Sequence, residues 1–93
     1  MDRRDTVEIF RTRLAESMER AGMNRSGLAR RVGVDRSTLS QLLSADNERL
    51  PRADTVAAIA SALQVSLDWL LGLTQQEQLG AEILQRSIHI TEA

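Results

Sequence analysis

The sequence predicts an all-α domain of five helices, and three observations carry that prediction. Apolar residues recur at three- and four-residue spacing in separate stretches, the period of one helix face. No stretch alternates apolar and polar residues between turn signals, as a half-buried strand would. Gly22, Gly33, Pro51 and Gly72 punctuate the stretches, and Asn24, Asp35 and Ser66, residue types that cap helices, stand just before three of them. With 93 residues and 42% hydrophobic content, the chain suits one compact domain with a modest core.

Taken in order, Val7, Phe10, Leu14, Met18 and Ala21 mark the inward face of a first helix over about residues 5–21, which Gly22 stops. Asn24 caps a second helix with Leu28, Ala29 and Val32 inward and Gly33 at its end. Gly27 lies inside that helix and costs it about 1 kcal/mol relative to Ala, so packing must hold it. Asp35 caps a third helix from Arg36 to about Ser44, with Leu39 and Leu42 inward. The polar stretch 45–52, closing on Pro51, reads as a loop. A fourth helix over about residues 53–63 buries Val56, Ile59, Ala60 and Leu63. Ser66 caps a last short helix that Gly72 terminates.

Composition excludes several classes. There is no cysteine, so neither a disulfide nor a thiolate zinc site holds the fold, and a reducing cytoplasm is the expected setting. The charged start MDRRDTVEIF lacks the apolar stretch of a signal peptide, and no run approaches the roughly 20 apolar residues of a membrane span. The net charge of −1 hides a sharp division. Residues 20–52 hold seven Arg against Asp35, Asp46 and Glu48, whereas residues 53–93 hold Arg86 against five acids. All twelve basic residues are Arg, a usage that suits bidentate contacts to phosphate and guanine and that a GC-rich genome would also produce. Genome composition does not explain why they cluster in the middle.

Between Arg25 and Leu42 stand two short amphipathic helices joined at Gly33 and Val34, the second offering Arg, Ser and Gln on one face. This is the pattern of a helix-turn-helix that reads DNA in the major groove. At about 100° per residue, Arg36, Ser37, Ser40 and Gln41 span an arc of roughly 140°, opposite Leu39 and Leu42. Arg36 can chelate O6 and N7 of guanine, Gln41 can pair with N6 and N7 of adenine, and Ser37 can meet any base edge. Leu43, at the edge of the apolar arc, is either core or a contact to a thymine methyl. Phosphate contacts belong to the flanks, where Ser40, Ser44, Arg49 and Arg52 stand, although Asp46 and Glu48 interrupt the loop and weigh most against Arg49. Arg30 and Arg31 read as solvated.

From Thr6 to Leu73 the chain resembles the lambda-repressor-like (Cro and XRE) helix-turn-helix family. In a twenty-residue motif starting at Arg25, the small residue is Ala29, the turn glycine Gly33, and the apolar positions Leu28, Val32, Val34, Leu39 and Leu42. The stretch ASALQVSLDWLLGLT resembles the family's fourth and fifth helices, with one departure: Gln64 stands where Gly is usual. The resemblance implies a compact five-helix DNA-binding domain in which Arg36, Ser37 and Gln41 read bases and Asn24 and Arg25 anchor phosphates. It also implies a homodimer on a palindromic site, with Val65, Leu67, Trp69 and Leu70 near the dimer surface. Trp69, the one Trp, is open to either role, core or interface.

The expected function is thus a sequence-specific transcription regulator whose partner is double-stranded DNA, read as a repressor, with activation the alternative that depends on where the operator lies relative to a promoter. Residues 1–73 form its DNA-binding domain, and residues 74–93 an extension or a linker toward a second domain. In that tail Leu79, Ile83 and Leu84 form a possible further stripe, and His89 reads as a surface residue. No Cys, a single His, no phosphate-cradling glycine loop and no metal-ligand cluster argue against an enzyme, and no cofactor is called for. The competing reading keeps the fold but makes the main partner a protein, as in an antitoxin or an adaptor, which the acidic second half leaves open; an effector or toxin partner is not identified by the sequence.

Overall fold

A computed structural model describes residues 3–75 and 77. Its elements are α1 (Arg3–Ala21), α2 (Arg25–Val32), α3 (Arg36–Leu42), α4 (Ala53–Leu63) and α5 (Leu67–Leu70), with no strand among the described residues. The tail stripe of Leu79, Ile83 and Leu84 and the lone His89 lie outside the described residues.

The helices pack around one core. Phe10, Leu14, Leu28, Leu39, Ile59 and Leu70 are fully buried, one or two from each helix. α2 packs on α3 and α4, while α5 packs on α1 and α4, so α3 and α5 lie on different sides of the bundle. The small buried Ala29 lets α2 approach its neighbours closely. Ala21, expected inward, is exposed, because α1 ends at that residue. The buried hydroxyl of Ser17 donates to the carbonyl of Arg13 at 2.7 Å, one turn back, so its burial leaves no polar group unpaired.

Four of the five helices close their carboxyl ends in the same way. An amide bonds back five residues, from Met23 to Met18, Val34 to Ala29, Val65 to Ala60 and Leu73 to Asp68, across a left-handed residue in each case. At Gly33, with φ of 87°, the turn of the motif uses the freedom of glycine as its place in the sequence predicts. At α4 the left-handed residue is Gln64, with φ of 56° and ψ of 43°. The cap differs from the usual one in residue type only, and the geometry of a glycine is imposed on a residue with a Cβ.

α3 is the exception. It ends at Leu42 rather than near Ser44, because the Ser44 amide bonds only three residues back, to Gln41, and the Ser44 hydroxyl accepts from the Asp46 amide in a local turn. Its amino end also differs from expectation. Asp35 has the extended backbone of a cap, but its side chain makes no capping bond. Asn24 does cap α2, accepting from the Gly27 amide at 2.7 Å, and Ser66 caps α5 through the Trp69 amide at 3.3 Å. The first of these explains Gly27: a Cβ there would stand 3.1 Å from the capping oxygen of Asn24.

Contacts continue past α5. Arg13 donates to the carbonyls of Trp69 and Thr74, and its guanidinium lies 4.9 Å from the centre of the Trp69 ring. Glu77 accepts from Arg20 and, through its carbonyl, from the Ser66 amide. The hydrogen bond from Arg20 to Glu77 holds that guanidinium above its already high pKa.

Candidate nucleic-acid interface

α3 can display a readable face only because its other face is locked. Leu39 and Leu42 are buried, and α2 supports the helix from behind. Arg36, Ser37 and Gln41 are exposed, Ser40 is half-buried within the arc, and Leu43 is half-buried against the core. Leu43 thus packs against the core with part of its side chain left at the surface. The three exposed side chains have no protein partner among the described residues, so their donors and acceptors are open to a ligand.

The flanking residues differ from one another. Arg25 donates to the Ser40 hydroxyl at 3.3 Å, which joins the start of α2 to the outer face of α3. Asn24 spends its carbonyl oxygen on the α2 cap and keeps its amide group as a donor. Beyond α3, Ser44 is half-buried with its hydroxyl in the turn, and Arg49 is exposed. Arg52 pairs with Asp54 at 3.3 Å, both largely exposed, a contact that competes only weakly with a phosphate.

Of the four residues expected at a dimer surface, Val65, Trp69 and Leu70 are buried in the chain's own core. Only Leu67, 39% exposed, remains at the surface, where Leu73, 67% exposed and missed by the sequence reasoning, joins it as an exposed large apolar residue. Trp69 therefore belongs to the core. Near it a groove between α1 and α5 is lined by Ile9, Thr12 and Trp69, by Glu8 and Glu16, and by Arg13 and Glu77, the last paired with Arg20. Among the described residues no group of His, Cys, Asp or Glu is placed to hold a metal ion. No described helix is long and apolar enough to cross a membrane.

A helix-turn-helix family profile matches residues 14–70, from mid-α1 through the end of α5 and well over half of the chain. The chain belongs to the lambda-repressor-like helix-turn-helix family. Its members are DNA-binding regulators, and the helix exposed here, α3, is the second helix of the motif. No solved structure matches the chain at a significant level.

Two contributors at this face were not found from the sequence. Arg11 on α1 donates to the carbonyls of Ser44 and Asn47 at 3.3 and 3.5 Å, and the Asn47 side chain bonds both the amide and the carbonyl of Arg49. No local signal marks Arg11, whose partners lie more than thirty residues away.

Proposed function

We propose that the protein is a sequence-specific transcription regulator, a repressor, that binds a palindromic operator as a homodimer with α3 in the major groove. The observation that carries this reading is the exposed, unpaired trio of Arg36, Ser37 and Gln41 on a helix whose opposite face, Leu39 and Leu42, is buried. Arg36 and Gln41 supply the two side-chain types that pair bidentately with guanine and adenine, and Ser37 adds a less selective contact. Asn24, Arg25, Ser40, Ser44, Arg49 and Arg52 hold the phosphates on either side. The two-fold contact forms around exposed Leu67, and residues 74–93 act as an extension or a linker from the DNA-binding domain. Binding over a promoter represses by occlusion, in the cytoplasm, with no cofactor. An antitoxin or adaptor role is favoured by one feature, the carboxylates of Glu8 and Glu16 beside the groove between α1 and α5, which suit a cationic group of a protein partner.

The test is selection from a randomised duplex pool at physiological salt, repeated with Arg36→Ala and Gln41→Ala. Enrichment of a palindrome, with each variant losing about 5- to 150-fold preference at one defined position, is the expected result. Salt-sensitive binding without enrichment refutes sequence-specific regulation and favours the protein-partner reading.

A further inference from the structure

We propose that Arg11 and Asn47 form a bracket whose role is to present the guanidinium of Arg49 to a DNA phosphate beside the groove that α3 enters. The inference rests on the DNA-binding reading and adds positioning residues to it. α3 lacks the left-handed closure that ends the other four helices, so its carboxyl end and the loop beyond need another anchor. Arg11 is that anchor. It is a cation from α1 at the negative end of α3, donating to the carbonyls of Ser44 and Asn47. These bonds fix the loop at two points, and the Asn47 amide, itself held to the Ser44 carbonyl at 3.1 Å, closes the turn between them.

Asn47 then passes the constraint on. Its side-chain nitrogen donates to the Arg49 carbonyl at 2.7 Å and its side-chain oxygen accepts from the Arg49 amide at 3.3 Å, so one carboxamide grips both backbone polar groups of the same residue. Backbone direction at Arg49 is set, while its guanidinium is exposed and without a partner among the described residues. Arg52, three residues on, is the contrast, its guanidinium paired with Asp54. Asp46 and Glu48, which weigh against this loop in the sequence, are exposed, and their carboxylates take no part in the bracket. The bracket keeps one Arg in place despite the two acids that precede it.

A double-mutant cycle on duplex DNA separates positioning from independent contact. Affinity and its salt slope are measured for the full chain, Arg49→Ala, Arg11→Met, Asn47→Ala and each combination with Arg49→Ala. Losing one phosphate contact reduces affinity about fivefold near 0.15 M salt and makes the slope shallower by about 0.9. Each single variant is expected to show that loss, and the double variants no more than Arg49→Ala alone. Arg11→Lys, which keeps a donor and the charge, is expected to recover most of it. Amide hydrogen exchange without DNA gives the independent readout, with Arg11→Met speeding exchange at Asn47 and Arg49 while α4 stays protected.

Additive losses would mean that Arg11 touches phosphate itself, and would overturn the bracket while leaving DNA binding intact. Unchanged exchange at Arg49 in the Arg11 variant overturns it as well. Absence of duplex binding by the unmodified chain refutes the DNA-binding reading, and the bracket's purpose with it, even if exchange changes as expected. Should Arg11→Met fail to fold, Asn47→Ala, in a loop outside the core, carries the same cycle.

Discussion

Replacing Gln64 by Gly should stabilise the protein. Gln64 ends α4 in the left-handed conformation, where a residue with a Cβ suffers a clash worth about 1–2 kcal/mol. Glycine removes that cost but widens the unfolded ensemble, which gives back about 0.4–1 kcal/mol. The Gln64 side chain is exposed and makes no hydrogen bond among the described residues, so its removal subtracts little. The expected net gain is about 0.5–1 kcal/mol, a rise in Tm of roughly 2–8 °C for a domain of this size. Thermal unfolding followed by circular dichroism at a fixed scan rate reads it directly. Gln64→Ala is the control, since it deletes the same side chain and keeps the Cβ. A glycine variant no more stable than the alanine variant would refute the argument, because the two differ mainly in freedom at positive φ.

Two further predictions concern the face that α3 presents. Arg25→Ala is expected to weaken binding to every duplex sequence alike and to make the salt slope shallower by about one unit; an unchanged slope removes Arg25 from the phosphate contacts. Leu39→Ala, at a fully buried position on the face of α3 opposite Ser37 and Gln41, should lower stability in urea by about 2–5 kcal/mol, and a denaturation midpoint within error of the unmodified protein would place Leu39 outside the core.

What was legible in the sequence is what local chemistry decides. Residues 53–63 read as a helix and form one, since Pro51 precedes them and an apolar face runs through Val56, Ile59 and Ala60. Gly33 and Asn24 announce a turn and a cap because the residue types best suited to those conformations are few. Asp35 has the right type and place but spends no oxygen on the cap, a choice that a sequence pattern does not record. The end of α3 was misjudged by two residues because the contacts that replace a helical continuation come from Ser44 and from Arg11, far away in the chain. The same limit applies to the dimer surface. α5 is short and apolar on several sides, so only tertiary packing reveals that Trp69 and Leu70 point inward and Leu67 outward. At the candidate site, the exposed face of α3 could be read from helical period alone, whereas the support behind Arg49 could not.

The stacking of Arg13 on Trp69 has a practical consequence for spectroscopy. The chain holds one indole, 6% exposed and with the guanidinium groups of Arg13 and Arg20 at 4.9 and 6.0 Å from its ring centre. Its emission should be that of a shielded chromophore and should shift to the red as the chain unfolds, giving an intrinsic signal for the melting of the α1–α5 side. Because α5 rests on α1 and α4 while α3 rests on α2, an operator bound at α3 meets the protein away from the lamp. A titration with DNA that alters this fluorescence would report a change carried through the body of the domain, and a silent titration a domain that docks as a rigid piece.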